Sequence, residues 1–433
     1  MKTEWFLKMA SDLRERILEK ITAIEVIDGH EHLWPEKVRV ESQVDVFTLF
    51  SHYIQFDLIS AGLSEADFKK LSDPNLPLST RWGIVAPYWE LVRHTSYAGA
   101  ALIAVRKFYG YDDINNQTYE AISEAIAASN KPGLYEKVLR QACNIRTCLT
   151  QCGTTDTGSE LLTPLMPLVY FNPMGELETP DRLIGHPFSV ERGVKTLDDL
   201  VNAIDDYVAD VKSKGAVGLK MAAVPFGEPN RDQAQAVFNQ IVNGGEPPWP
   251  SVPKDHDYLG RHYSNPLRDY YTDCAIAAAG RHGLVVAVHT GYWWDFRRLN
   301  PLNMIPILYR HPEVKFDIYH LGYPWVRETL LLGKNFQNAF LNLCWVYVIS
   351  EKCAKDALRE AFDLLPMNKI IGFGGDYGIP VEKIYGHLTI ARESMATVLA
   401  EKVEAGRIDE DESIEIAKLW LWENPRKLYN LNL

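Results

Sequence analysis

Short runs of apolar and β-branched residues recur along the chain, and most of them are separated by segments with a helical hydrophobic period. Eight such runs predict β-strands: Ala23–Asp28, Asn144–Gln151, Leu165–Phe171, Ala216–Met221, Leu284–His289, Lys315–His320, Ala339–Trp345 and Ile370–Asp376. The later runs, such as LVVAVH and KFDIYH, are almost continuously apolar, which is typical of parallel strands covered on both faces. The clearest helical patterns between strands are Thr196–Ser213, Asn265–His282 and Ala354–Leu364. Strands alternating with helices predict an α/β (β/α)8 TIM barrel, with residues 1–433 forming a single domain.

The longest insertion predicted in this barrel lies between the first two strands and is rich in helical patterns such as TYEAISEAIAAS. In a barrel, the chain leaving the carboxyl end of a strand emerges on the face that carries active sites. Residues 35–141 are therefore expected to form a helical cap over the site. The alternative is a separate helical domain, but neither side of the insertion has a Gly/Ser-rich or Pro-rich linker. The link GTTDTGSELLTP between the second and third strands is too short for a full helix, so one barrel helix is expected to be missing.

Composition and charge narrow the class of protein. The chain has 45 Lys and Arg against 57 Asp and Glu, a net charge of −12 that disfavours binding to nucleic-acid phosphates. No apolar run approaches the ~20 residues of a membrane-spanning helix. Six cysteines without paired spacing fit the reducing cytoplasm better than a disulfide framework. We therefore expect a cytoplasmic enzyme with a small-molecule substrate, and the sequence leaves open whether it forms a homo-oligomer.

The candidate chemistry begins at the end of the first predicted strand, where the chain runs AIEVIDGHEHL. Side chains two positions apart on a strand share a face, so His30 and His32 both point into the barrel mouth while Glu31 points away. Neutral imidazoles are common ligands of zinc and related divalent ions. The histidine pair therefore indicates a metal site.

Four more polar residues stand at the carboxyl ends of later strands: Lys220, His289, His320 and Asp376. Each has a simpler interpretation, since a lone histidine can be a hydrogen-bonded core residue, a lysine can reach solvent and an aspartate can cap a helix. Convergence of all these residues on one end of one barrel favours a metal centre, because separate structural roles would require coincidence.

The order HEH, a lysine on the fourth strand, HTG, HLG and GGD resembles the amidohydrolase superfamily. It is most similar to the amidohydrolase-related branch that includes uronate isomerases and resorcylate-type decarboxylases. The resemblance covers nearly the whole chain, and the carboxyl-terminal WENPRKLYNL is similar to the closing helix of that branch.

This resemblance implies particular ligands. His30, His32 and Asp376 would bind a first divalent ion, expected to be zinc with manganese as the alternative, and His289 would be a ligand or close neighbour. Lys220 would be a carboxylated lysine that bridges two ions, with His289 and His320 holding the second. Mononuclear members of the family do not use a bridging lysine, so one or two ions remain open.

Candidate substrate-binding residues follow the strand-end histidines and occur in the cap. Aromatic rings beside arginines suit a hydroxylated or aromatic acid, because rings stack and guanidinium groups bind carboxylates. The alternative is that some of these rings only pack under the cap. The segment Ser51–Tyr53 also resembles a substrate-contacting His-Tyr pair of uronate isomerases. The candidates are His52, Tyr53, Tyr292, Trp294, Arg297, Tyr323 and Arg327.

Hydrolysis through a metal-activated water is the leading functional hypothesis, with Asp376 and His289 as catalytic residues and Asp376 as the proton shuttle. Isomerisation of a sugar acid, as in uronate isomerases, and metal-dependent decarboxylation of an aromatic acid are alternatives. A non-catalytic barrel that keeps a metal for stability is a further alternative, and the complete set of ligand types argues against it. The substrate itself is not determined by the sequence.

Overall fold

A parallel β-barrel forms the centre of the protein, for which the computed structural model describes residues 2–50, 53–168, 180–221, 227–245, 265–293 and 296–433. Its strands are β1 (Val26–Glu31), β2 (Ile145–Thr150), β3 (Leu162–Pro167), β4 (Gly218–Met221), β5 (Val285–Val288), β6 (Phe316–Ile318), β7 (Ala339–Asn342) and β8 (Ile370–Ile371). All eight are parallel and adjacent in chain order. Backbone hydrogen bonds from Gly29 N to Phe373 O (2.9 Å) and from Asp376 N to His30 O (2.9 Å) join β1 to the segment after β8. The predicted (β/α)8 barrel is confirmed.

The strand boundaries differ from the predicted ones in ways that matter for the site. β1 begins at Val26 rather than Ala23, because the amino-terminal helix continues to Thr22 and Ala23 N still donates to Glu19 O. β3 ends at Pro167, and the predicted end at Phe171 lies outside the described residues. The last strands are shorter than predicted, so several strand-end polar residues lie in turns just beyond them.

Helices cover the barrel and fill the insertion between β1 and β2. Preceding the barrel is α1 (Lys2–Thr22), and the insertion contains α2 (Glu36–Glu41), α3 (Ile54–Ser60), α4 (Glu65–Lys70), α5 (Leu78–Val92), α6 (Ser96–Tyr109) and α7 (Tyr119–Ser129), with a 3-10 turn at Val46–Phe50 and a π-helical segment at Glu136–Ala142. The remaining α-helices are α8 (Pro180–Leu183), α9 (Pro187–Glu191), α10 (Leu197–Ser213), α11 (Arg231–Val242), α12 (Pro266–Arg281), α13 (Ile305–Arg310), α14 (Val326–Asn335), α15 (Val346–Ile349), α16 (Glu351–Leu364), α17 (Glu382–Glu404), α18 (Glu410–Lys418) and α19 (Asn424–Leu428). Over the part of the chain that is described, no helix has the length and apolar character required to cross a membrane.

Local sequence signals explain where the predicted helices begin. The side chain of Thr196 accepts a hydrogen bond from Asp199 N, and the Asp199 carboxylate accepts one from Thr196 N, which forms a capping box at the start of α10. Asn265 caps α12, and Ser350 caps α16, which begins at Glu351, three residues before its predicted start. Residues 151–161 between β2 and β3 contain no helix, as predicted.

The inserted helices pack against α17, the helix that follows β8. Helix α6 approaches α17 so closely that a Cβ atom at Gly386 would lie 2.0 Å from the carbonyl oxygen of Ala100. The buried Arg39 guanidinium of α2 lies 3.0 Å from Glu382 of α17, and the Tyr109 hydroxyl donates to the same carboxylate at 2.9 Å. The insertion is thus attached to the helix that directly follows the Asp376 turn.

Candidate metal centre

Three predicted ligands meet where β1 and β8 end. His30 Nε2 lies 3.0 Å from Asp376 Oδ1, and His32 Nε2 lies 3.5 Å from the same oxygen. All three ligand atoms lie within 4.8 Å of one another. Two atoms that bind one tetrahedral zinc ion at about 2.0–2.1 Å are separated by roughly 3.3 Å. The spacing of His30, His32 and Asp376 therefore fits a single divalent ion.

Hydrogen bonds and burial put the imidazoles in a form that can bind a metal. His32 Nδ1 lies 3.1 Å from the Gln151 carbonyl oxygen and His320 Nδ1 lies 3.1 Å from that of Cys344. A carbonyl oxygen can only accept, so these Nδ1 atoms carry the protons and the Nε2 atoms carry lone pairs. Burial lowers the pKa of His320 to about 4 and holds that of His30 well below its usual value. Both rings are therefore neutral near pH 7.

A second group of donors adjoins the first. His320 Nε2 lies 2.9 Å from His289 Nδ1, and His289 Nε2 is buried without a hydrogen-bond partner among the described residues. Lys220 Nζ lies 3.2 Å from His30 Nε2 and 4.3 Å from the centre of the Tyr319 ring. Burial lowers the pKa of Lys220 to about 8. The structure thus brings together all six residues predicted as ligands, and their nitrogen and carboxylate donors suit a divalent ion.

Unusual backbone conformations aim two of these side chains into the barrel mouth. Asp376 and His320 both have a φ angle of 65°, in the left-handed region that L-residues rarely adopt. The two residues before Asp376 are glycines, and a Cβ atom at Gly375 would lie 1.9 Å from Glu31 Oε1 while one at Gly374 would lie 2.5 Å from Cys344 Cβ. The glycines before Asp376 are therefore required by the close approach of Glu31 in β1 and of Cys344 just after β7.

Two buried acids behind the ligands were not selected from the sequence. Glu31 Oε2 accepts a hydrogen bond from Tyr377 N at 2.6 Å, and Asp28 Oδ1 accepts from His30 N and Gly375 N at 3.2 Å each. Burial raises the pKa of Asp28 to about 7 and raises that of Glu31 well above its usual value. The signal that could have found them is the sequence DGHE itself, which places four polar or flexible residues on a strand that is buried throughout.

Aromatic residues from three parts of the chain line the region beside His320. The rings of Tyr53 and Trp345 lie 3.6 Å apart, and Tyr292 stacks on Trp345 at 5.9 Å with an interplanar angle of 17°. Trp345 in turn lies 5.3 Å from His320. Sequence reasoning selected Tyr53 and Tyr292 but missed Trp345, although it ends the predicted seventh strand.

The other predicted substrate-binding residues are placed differently. Tyr323 is half-buried, and its backbone N–H donates to His320 O at 3.0 Å. Arg297 is exposed on the 3-10 turn Phe296–Leu299. Arg327 has a side chain 82% exposed and donates to Glu360 of α16 at 3.0 Å, so the structure does not bring it to the imidazoles. His52 and Trp294 lie outside the described residues.

The carboxyl-terminal part of the chain matches a known protein family. A sequence model of the family described as "Amidohydrolase" matches residues 174–431, which is more than half of the chain. The match includes Lys220, His289, His320 and Asp376. A segment of 134 residues is 25% identical to the protein fluG of Emericella nidulans and covers 31% of this chain. The matched segment spans 15% of the length of that curated relative.

Comparison with solved structures extends the similarity of the fold to almost the whole chain. A glucuronate isomerase from Caulobacter crescentus superposes with a TM-score of 0.78 and 16% identity, covering 98% of this chain and 95% of the isomerase. A Lactobacillus casei protein proposed to be a metal-dependent hydrolase gives a TM-score of 0.64 and 18% identity, covering 95% of this chain and 96% of its own. At these identities the comparisons establish the fold alone.

Proposed function

The chain belongs to the amidohydrolase family, and we propose that this metal-dependent enzyme hydrolyses a small polar or acidic substrate. The observation that carries the proposal is the position of the Asp376 carboxylate. One of its oxygens lies within 3.5 Å of two buried or half-buried imidazoles whose rings are held neutral. A carboxylate in this position can both bind a divalent ion and act on a water molecule next to it.

The residues divide into a ligand set and an adjacent set. His30, His32 and Asp376 would hold the ion, for which we propose zinc, with manganese as the alternative. Lys220, His289 and His320 would complete its surroundings or hold a second ion. A divalent ion at this position lowers the pKa of bound water toward ~7 and polarises a substrate carbonyl group.

The side chains of the protein itself would move the proton and orient the reacting groups. Asp376 would accept a proton from the attacking water and return it to the leaving group, because a carboxylate can contact the ion with one oxygen and the bound water with the other. The neutral ring of His289, 2.9 Å from His320, would orient the substrate carbonyl. The lowered pKa of Lys220 favours the neutral amine, which is the form that captures carbon dioxide. If carboxylated, Lys220 would contribute a negative charge to the centre.

For the substrate, we propose a pocket between the barrel mouth and a helical cap formed by residues 35–141. Tyr53 of this segment and Tyr292 both contact Trp345 beside His320, which supplies flat apolar surface next to the polar centre. Arg297 on the loop after β5 is the candidate for binding a substrate carboxylate, and Tyr323 would border the same loop. His52 and Trp294 stay predicted members of this pocket.

Isomerisation of a sugar acid is the second candidate function. It is favoured by the contact of Tyr53 with Trp345, because this tyrosine belongs to the Ser-His-Tyr segment that resembles a substrate-contacting pair of uronate isomerases. In that case the same centre would hold the sugar acid while a base moves a proton between adjacent carbons.

The test combines a metal count with a substrate panel. The metal content of the purified protein is measured by atomic emission, and lactones, amides, uronates and resorcylate-type acids are assayed with the metal-loaded and the chelator-treated enzyme. Hydrolysis of a lactone or amide that is lost with the chelator supports the proposal. Metal-dependent conversion of a uronate without hydrolysis would replace it with the isomerase.

The cysteines bear on the cellular location of the enzyme. All six cysteines are free thiols, and four of them are buried. Thiols of this kind persist in a reducing compartment, so we propose a cytoplasmic location. Fractionation of the native host with antibodies against the chain tests this.

A further inference from the structure

Two acids lie directly behind the ligand set and contact the backbone on both sides of Asp376. Asp28 and Glu31 are fully buried. Glu31 Oε2 accepts from the amide of Tyr377 at 2.6 Å, and Asp28 Oδ1 accepts from the amide of Gly375 at 3.2 Å. The two amides that flank Asp376 are therefore each held by a carboxyl group.

Asp376 depends on support of this kind because its backbone is in the left-handed region, with a φ angle of 65°. The segment that carries it is also tied to β1 through Asp376 N to His30 O at 2.9 Å and His32 N to Tyr377 O at 3.0 Å. Asp28 adds to this connection, since the oxygen that accepts from Gly375 N also accepts from His30 N at 3.2 Å. The backbones of all three proposed ligands thus form one hydrogen-bonded unit with the two acids.

The fit between Glu31 and the turn is too close to be general packing. Glycine at position 375 leaves the space that Glu31 occupies, because a Cβ atom there would lie 1.9 Å from Glu31 Oε1. An apolar side chain of equal volume would leave the Tyr377 amide buried without an acceptor. We propose that Asp28 and Glu31 are positioning residues that hold Asp376 in the conformation in which it binds the metal, an inference that rests on the proposed function.

The test measures metal affinity rather than activity. Zinc dissociation constants are determined by competition with a chromophoric chelator for the whole chain and for three variants at position 31. Glu31→Met keeps the volume without the acceptor, Glu31→Asp keeps the carboxyl group but is one methylene too short, and Glu31→Gln keeps an acceptor oxygen at the right distance. We expect Glu31→Met and Glu31→Asp to weaken zinc binding by about 10–100-fold, the usual effect of losing a partner of a ligand, and Glu31→Gln to keep most of the zinc affinity.

A double-mutant cycle separates positioning from general stability. In an Asp376→Ala background, Glu31→Met and Glu31→Asp should weaken zinc binding by less than about threefold, because the ligand that Glu31 positions is gone. An undiminished loss of zinc affinity in that background, or equal zinc affinities for Glu31→Gln, Glu31→Asp and Glu31→Met, would overturn the inference. If Glu31→Met does not fold, as judged by circular dichroism, Glu31→Asp carries the same comparison.

The cycle also distinguishes failure of this inference from failure of the proposed function. Asp376→Ala alone must weaken zinc binding if Asp376 is a ligand. Unchanged affinity in that variant would remove the ligand assignment itself. Weakened affinity in Asp376→Ala together with unaltered affinity in the Glu31 variants would remove only the positioning role.

Discussion

The two groups of donor side chains at the barrel mouth are built differently. His30, His32 and Asp376 come from β1 and the segment after β8, which are joined by backbone hydrogen bonds, and they include a carboxylate. His289 and His320 follow β5 and β6, and their close contact is one imidazole nitrogen with another at 2.9 Å. The charge of a divalent ion would be partly neutralised in the first group, whereas the two neutral rings of the second group would leave it uncompensated.

This difference in charge predicts that the two groups bind a divalent ion with different strength. The first group should bind an ion by itself, and the second should do so only when a negative charge is added. Lys220 stands at the boundary, with Nζ 3.2 Å from His30 Nε2, so a carboxylated Lys220 would supply that charge to both groups. Whether the centre binds one ion or two would therefore depend on whether Lys220 is carboxylated.

The largest expected effect comes from removing each histidine pair in turn. His30→Ala with His32→Ala should abolish retention of metal after dialysis, whereas His289→Ala with His320→Ala should leave one ion per chain. Both double variants should stay folded, because the packed core of the barrel lies below the strand ends. Atomic emission and circular dichroism provide the measurements. Full occupancy in the first variant, or an empty second variant, would reverse the rank of the two groups.

The next effect concerns the carboxylate that only the first group has. Asp376→Asn keeps the shape and one ligand oxygen but cannot accept a proton, so it should keep much of the metal and lose about 10²–10⁴-fold in turnover. Its pH–rate profile should also lose the acidic limb. If Asp376 is only a ligand, metal and activity will fall in parallel, and added metal will restore both with the acidic limb intact.

A third prediction concerns how the histidines of the two groups make the stability of the metal-free protein depend on pH. Burial lowers the pKa of His320 from the ordinary 6.5 to about 4. Below pH 6.5 the unfolded chain binds a proton at this ring while the folded protein keeps the ring neutral, so the free energy of unfolding decreases as pH falls toward 4. Between pH 7 and pH 5 the lowered pKa of His320 should reduce the free energy of unfolding by about 2 kcal/mol. His320→Gln should remove that part of the loss in urea titrations at the two pH values. His32 has a side chain that is 39% exposed, so His32→Gln should change the pH dependence of the unfolding free energy less than His320→Gln does.

The smallest expected effect lies on the loop beyond the second group. Arg297→Met should raise the Michaelis constant for an acidic substrate by about tenfold or less, and should change that for a neutral substrate little. Arg327→Met is the matched control, because its guanidinium pairs with Glu360 and its side chain is 82% exposed. Equal effects of Arg297→Met on both substrates would indicate a structural arginine, and a selective effect of Arg327→Met would return that residue to the substrate set.

Much of the fold and of the candidate site could be predicted because their signals are local. The alternation of apolar strands and amphipathic helices is written in neighbouring residues, and the Thr196–Asp199 capping box lies within four positions. Parallel strands bring their carboxyl ends to one face, so residues at those ends must meet once the strands are recognised. His30, Lys220, His289, His320 and Asp376 were predicted to converge on that basis, and the structure brings them together.

By itself, then, the sequence determined the barrel, the order of its strands and the ring of polar residues at one end, since these follow from periodicity and chain direction. Only the tertiary structure decided which side chains support that ring. Glu31 and the Tyr377 amide are 346 positions apart, and nothing in either segment specifies their 2.6 Å contact. Arg327 likewise pairs with Glu360, because a helix surface rather than the loop sequence decides where its long side chain lies. Hydrophobic periodicity is a property of a segment, whereas the partner of a buried acid or an exposed arginine depends on how separate segments pack.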